Sequence, residues 1–231
     1  MENEERKTKV SNYMLKNLFI NYTDTQIKFF MMVINKAVSS HYAKTKEYNE
    51  SDLNNHESEI VYIPLDFIKQ YKGKKHMSIA EIDEVMTSLH ITLNLIDENG
   101  YKATLSAIKW VVFEDDKDRF KIILTDDALE YLILVSENYS CLDLEQLKFL
   151  RGKYEIGLYI IYCMYRGLKQ KSKNYSIEEL QDFLNVLRGG QTRDTLRYVN
   201  NAKVKLISMG MKVDFEVKKR GKKITDVMFK F

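Results

Sequence analysis

Three times in this chain a threonine or serine stands three residues ahead of a glutamine or glutamate, directly before an apolar run of helical spacing. The pairs are Thr23 with Gln26, Ser78 with Glu81, and Ser176 with Glu179. In such a pair the first side chain accepts from the third helical N–H and the second reaches back to the first backbone, so each pair marks a helix start. Behind Thr23 the stripe is Ile27, Phe30, Met31, Ile34 and Val38. Behind Ser78 it is Ile79, Ile82, Met86 and Leu89, and behind Ser176 it is Leu180, Phe183, Leu184 and Leu187.

What surrounds the second and third starts has the same order. In the first half Asn12 to Asn21 is a short helix, residues 43 to 59 read as a loop, and Ile60 to Ile63 is a strand stopped by Pro64. A short helix over Leu65 to Tyr71, a Lys72-Gly73-Lys74-Lys75 turn and the Ser78 helix follow. Ile91 to Ile96 and Tyr101 to Phe113 then flank Asn99-Gly100 as a hairpin. Glu114 to Arg119 is a charged turn before a strand over Phe120 to Leu124.

The second half opens with helices over Asp126 to Ser136 and around Leu144, Leu147 and Leu150. Tyr154 to Leu168 is apolar on nearly all faces, which places it as a central buried helix. After the Ser176 helix come the turn Arg188-Gly189-Gly190-Gln191 and a long helix from about Thr192 to Met209, stopped by Gly210. Met211, Val213, Phe215 and Val217 alternate as a strand, and Thr225, Val227, Phe229 and Phe231 alternate as its return. Each half is thus helices, helix-turn-helix, then hairpin. The pattern predicts an α+β chain of two tandem winged-helix domains, residues 1–124 and 125–231, with no Pro/Gly/Ser linker between them.

Composition supports a packed core: 45% of the 231 residues are apolar and 30% charged. Cys141 and Cys163 are too few for a disulfide framework or a four-ligand zinc site and read as packing residues of a reduced, cytoplasmic protein. The longest strongly apolar run, Gly157 to Tyr165, is far short of the roughly 20 residues that span a membrane. The charged start, MENEERKTK, has no apolar signal core behind it.

The net charge is only +3, but it is unevenly placed. From Gly190 to Phe231 there are eleven Lys/Arg and four Asp/Glu; the other 189 residues carry 25 against 29. Such an excess fits a polyanion-binding end or a solvated basic face, and composition does not separate these. The last helix-turn-helix and hairpin favour the first. A helix from Thr192 fits a major groove about 12 Å wide. On a wheel centred on Leu196, with Val199, Lys203, Leu206 and Ile207 beside it, the outer face shows Asp194, Arg197, Asn201 and Lys205. Gln191, Thr192 and Arg193 stand at the positive end of the helix dipole, where phosphate binds well. Arg193 or Arg197 suits guanine, and Gln191 or Asn201 suits adenine. Lys218, Lys219, Arg220, Lys222 and Lys223 crowd the hairpin tip around Gly221 and suit phosphate or the minor groove.

The first helix-turn-helix differs. Its second helix displays Glu81, Asp83 and Glu84, which phosphate repels. Lys72, Lys74, Lys75 and His76 just before it suit backbone contact, and this half otherwise suits packing or self-association. The stretch Ala107 to Phe113 is either an edge for pairing with a second copy or a buried core strand.

No phosphate-binding GxxxxGK[ST] loop is present, and His41, His56, His76 and His90 form neither His-x-His nor HExxH. No cofactor, metal or catalytic group is expected. A rolling-circle relaxase, an enzyme, lacks its metal pair here; a protein-interaction module remains a third class.

Three stretches carry a family likeness: Val10-Ser11-Asn12, Lys153-Tyr154-Glu155-Ile156-Gly157-Leu158-Tyr159, and Lys218-Lys219-Arg220-Gly221-Lys222-Lys223-Ile224-Thr225-Asp226-Val227-Met228-Phe229. In this order the chain resembles the iteron-binding plasmid replication initiators, the tandem winged-helix Rep proteins. Gly157 stands where that family usually has arginine, and the tip has Arg-Gly-Lys where it has Gly-Arg-Lys. The resemblance implies binding to double-stranded DNA at directly repeated origin sites and duplex opening with a host initiator and helicase. It also implies a monomer that initiates and a dimer that represses its own promoter. A winged-helix transcriptional repressor would use the same architecture without opening an origin.

Overall fold

The computed structural model describes residues 7–12, 15, 22–47, 60–70, 77–89, 92–96, 102–125, 139–168, 171–184 and 191–231. Among these, the helices are α1 (Asp24–Glu47), α2 (Leu65–Gln70), α3 (Ile79–Thr87), α4 (Leu144–Lys148), α5 (Gly152–Tyr165), α6 (Ile177–Phe183) and α7 (Thr192–Ser208). The strands are β1 (Lys7–Ser11), β2 (Ile60–Pro64), β3 (Thr92–Ile96), β4 (Lys102–Ser106) and β5 (Ile108–Glu114). They continue with β6 (Arg119–Leu124), β7 (Tyr139–Asp143), β8 (Ser172–Ser176), β9 (Asp214–Arg220) and β10 (Lys223–Lys230).

All three capping pairs form. Gln26 N donates to Thr23 Oγ1 at 3.3 Å and Thr23 N to Gln26 Oε1 at 2.9 Å. Ser78 and Ser176 each make the reciprocal pair with Glu81 and Glu179. The elements repeat one plan twice. A strand precedes a short helix, a second helix follows, and a hairpin closes a three-stranded antiparallel sheet in which the first strand pairs the last. The sheets run β2-β6-β5 and β8-β10-β9. This is the winged helix, twice.

Several expectations need correction. Residues 43–47 are not loop but the last turns of α1. The stretch Tyr101 to Phe113 is not one strand: it breaks at Ala107, and its parts belong to different sheets. β4 pairs β3 across the Asn99-Gly100 segment as an added hairpin, whereas β5 pairs β6 as the true first wing. That wing turns at the short 3-10 helix Asp115–Lys117, with Asp118 left-handed at φ 47°. β5 is an edge strand, and Trp110 is 64% exposed, so it is not a buried core strand. Ile79 is exposed at the start of α3, while Ile82, Met86 and Leu89 are buried. Most of Asn12 to Asn21, the Lys72 to His76 turn with Lys74 and Lys75, the Asp126 to Ser136 helix and Arg188 to Gly190 lie outside the described residues.

The core is centred as the apolar pattern predicts. Nearly every side of α5 is covered, and Ile156, Tyr159, Ile160 and Ile161 have no exposure. Burial of Tyr159 is made tolerable by its hydroxyl, which accepts from Asp143 N at 2.8 Å and donates to Asp143 O at 3.2 Å. Cys163 is buried beside it, and burial pushes its thiol up to about 12, as befits a packing residue. Cys141 and Cys163 are both free thiols.

The two halves are tied together. β1 pairs β7 antiparallel, from Lys7 opposite Asp143 to Ser11 opposite Tyr139. Lys28 of α1 is buried and extends its ammonium to Leu150 O at 2.6 Å and Lys148 O at 3.4 Å, carbonyls at and just past the end of α4. An ammonium there meets the negative end of a helix. Asp24 Oδ2 accepts from Gly152 N at 3.2 Å, where Gly152 holds φ 68° at the entry to α5. Among the described residues no helix is long and apolar enough to cross a membrane.

Candidate nucleic-acid interface

The second helix-turn-helix is locked by a polar contact inside its core. Gln181 Nε2 of α6 donates to Thr195 Oγ1 of α7 at 3.1 Å, with both residues buried. Thr195 begins the buried stripe of α7, which continues through Val199, Ala202 and Leu206. The sequence wheel was therefore centred one position off. Leu196 is only partly buried, and Ile207, expected inside, is 51% exposed.

The outer face of α7 is accordingly Arg193, Arg197, Asn200, Asn201 and Val204, all exposed. Arg193, Arg197 and Asn201 stand where the sequence placed them. Lys205 does not: it lies half-buried on the flank. Asn200 and Val204 were missed. Gln191 is exposed at the N-cap and makes no side-chain cap, so the first N–H groups of α7 are left to other partners. Thr192 is half-buried.

Arg197 is held in place by its neighbours. Its Nη2 lies 3.3 Å from Asp194 Oδ1 and donates to Tyr198 Oη at 3.4 Å. Tyr198 stacks on Tyr154 of α5 with ring centroids 4.8 Å apart. A ring fixed to the neighbouring helix thus supports the guanidinium from below.

The wing following α7 segregates its charges. Two of its three acids, Asp214 and Glu216, lie toward the root, and the third, Asp226, stands opposite Lys218. Asp214 Oδ1 accepts from Lys203 at 3.1 Å, Glu216 pairs Lys230, and Asp226 accepts from Asn174 at 3.1 Å. The Lys203 bond holds the Asp214 carboxyl below its usual range. Lys203, set beside Leu196 on the wheel, ties α7 to β9. At the tip Lys218, Lys219, Arg220, Lys222 and Lys223 are exposed, with no ion pair among the described residues. β9 and β10 meet with Arg220 opposite Lys223, leaving Gly221-Lys222 as a two-residue turn. Gly221 takes φ 64° at the first turn position, which a type II′ turn asks of glycine.

The first winged helix has the opposite balance of charge on its wing. Its wing tip, residues 114–119, has four acids and two bases. Arg119 Nε reaches Glu114 at 2.6 Å and keeps that carboxyl below its usual range. Asp115, Asp116 and Asp118 remain exposed. On α3 the Glu81 carboxylate is occupied by the capping box and Glu84 faces solvent. Among the described residues this half offers phosphate neither a basic helix nor a basic wing.

The family model described as initiator replication protein, WH1, matches residues 7–163. The chain belongs to the initiator replication protein family. A solved structure similar to this initiator chain is the crystal structure of Pi initiator protein in complex with iteron DNA. It matches with a TM-score of 0.70 at 17% identity over 98% of this chain and 97% of that one. A likeness at that identity concerns the fold, and it extends through both winged helices. No curated protein matches the chain. Among the described residues no group of three His, Cys, Asp or Glu side chains could hold a metal ion.

Proposed function

We propose that the chain initiates plasmid replication by binding directly repeated origin DNA, reading sequence with α7 and holding backbone with the second wing. The observation that carries this is the charge segregation of the wing in a chain of the initiator family. Asp214 and Glu216 are paired near the root and Asp226, opposite Lys218, accepts from Asn174, so Lys219, Arg220, Lys222 and Lys223 stand together around the turn with no acid of the hairpin among them, an arrangement that a polyanion relieves. Arg193, Arg197, Asn200 and Asn201 on the outer face of α7 have the donor patterns that major-groove edges accept. The Pi initiator protein, of the same fold, was solved on iteron DNA, and that supports duplex DNA as the partner here.

Origin opening, recruitment of a host initiator and helicase, and repression by a dimer are the family's further steps, and we assign them to this chain on the resemblance. The work is that of a non-enzymatic cytoplasmic protein: binding and deformation of DNA, with no residue given a catalytic part. Self-association has a candidate surface. β5 is a sheet edge, and Trp110, Val112 and Tyr62 are exposed on the outward side of that sheet. An edge with an apolar flank is a template for a second copy.

Footprinting on the DNA adjoining the gene tests the main proposal. Evenly spaced protected repeats in one orientation are expected, and their loss on changing Lys219 and Lys222 to alanine together. Protection of a single isolated site would favour a transcriptional repressor, and no protection at salt low enough for any basic protein to bind would refute DNA reading altogether.

A further inference from the structure

One side chain on the outer face of α7 is unexplained by the folded chain itself. Val204 is 58% exposed, and Asn201, Asn200 and Arg197, three, four and seven residues before it, share its face. At about 100° per residue it projects between Arg193 and Arg197, opposite the buried Thr195, Val199, Ala202 and Leu206. A β-branched residue is a poorer helix former than alanine and gains nothing from holding an isopropyl group in water. Its surroundings argue against a protein partner. Docking a protein on this face would strip water from two guanidinium and two amide groups to cover Val204 and the flanking Ile207. A major groove meets all of them: base edges and phosphates take the polar groups, and the one protruding methyl it offers is that of thymine.

We propose that Val204 is a specificity-determining residue that packs on the 5-methyl group of a thymine in the duplex bound by α7. This rests on the DNA-reading proposal and adds a base to it. Arginines at 193 and 197 and amides at 200 and 201 discriminate by hydrogen bonds, whereas Val204 discriminates by a methyl contact that cytosine and the purines cannot return.

The test uses the full chain and a footprinted duplex in which each thymine is replaced in turn by uracil. Uracil keeps every hydrogen-bonding group and lacks only the methyl. One such replacement should weaken wild-type binding about fourfold, the worth of one buried methyl. Val204→Ala should weaken binding to the unmodified duplex by a similar factor and abolish the thymine–uracil difference at that position alone. The variant replaces an exposed helical residue by a better helix former, and circular dichroism confirms its fold. Sequence-specific binding with no thymine–uracil difference anywhere, or with a difference that Val204→Ala leaves intact, overturns the inference while DNA reading stands. Equal binding to all duplexes overturns both.

Discussion

Arg197 shows how much a single side chain's surroundings decide. Asp194 and Tyr198 hold its guanidinium on the outer face of α7, and Tyr198 is itself backed by Tyr154. A preset fork loses less freedom on meeting a base. Arg197→Ala should therefore cost about 1–3 kcal/mol and relax selection at one base pair. Selection from a randomised duplex library checks this; equal loss on all sequences would remove the base contact. Lys28 is the other decisive residue. Lys28→Ala leaves the Leu150 carbonyl without its donor, and about 1–3 kcal/mol of stability should go, read by urea unfolding. Burial lowers the Lys28 pKa below its ordinary 10.5, so folding sheds a proton between the lowered value and 10.5. Its contribution to stability should then rise with pH across that window, and the rise should vanish in Lys28→Ala. The outer arginines and Asn201 were legible in sequence because charge and amides seldom point inward. The buried Thr195 was not, since a threonine carries no core signal, and the exposed Ile207 pulled the wheel toward itself.

At the scale of elements, the wing works as a unit of fixed shape. Gly221 at φ 64° closes the turn, and a side chain there meets no neighbour but is strained by the backbone itself. Gly221→Ala should cost about 1–2 kcal/mol, visible as a lower unfolding temperature. Lys219→Ala should leave stability alone, weaken binding to all duplexes alike, and flatten the dependence of log affinity on log salt by about one. A titration at three salt concentrations decides it, and an unchanged slope strikes Lys219 from the contacts. The capped helices, the central helix and the second wing could be seen in sequence, since each has a start signal, an apolar surround or strict alternation. The first wing was misplaced because Asn-Gly is a strong turn signal and the left-handed Asp118 a weak one. Strands β1, β7 and β8 are short and polar in composition, and their order comes from partners distant in the chain.

At the scale of the molecule, the two winged helices share a strand order and differ in charge. The first wing's outward face shows Tyr62, Trp110 and Val112, beside an edge strand. Placing a charge there, as in Val112→Lys, should shift the chain toward monomer in sedimentation equilibrium without weakening its DNA binding. An unaltered distribution would clear β5 of a part in self-association. Tandem organisation was visible from the repeated order of elements. The pairing of β1 with β7 was not, since no local pattern announces a partner more than a hundred residues away.

Two modules of one topology usually invite the thought of an internal twofold axis, and the charges forbid it. One wing ends in bases and its counterpart in acids, so a single copy has a front and a back. A lone molecule cannot match a palindrome half for half. If one copy reads one duplex site, that site has a direction, and copies on sites repeated in one orientation would face the same way.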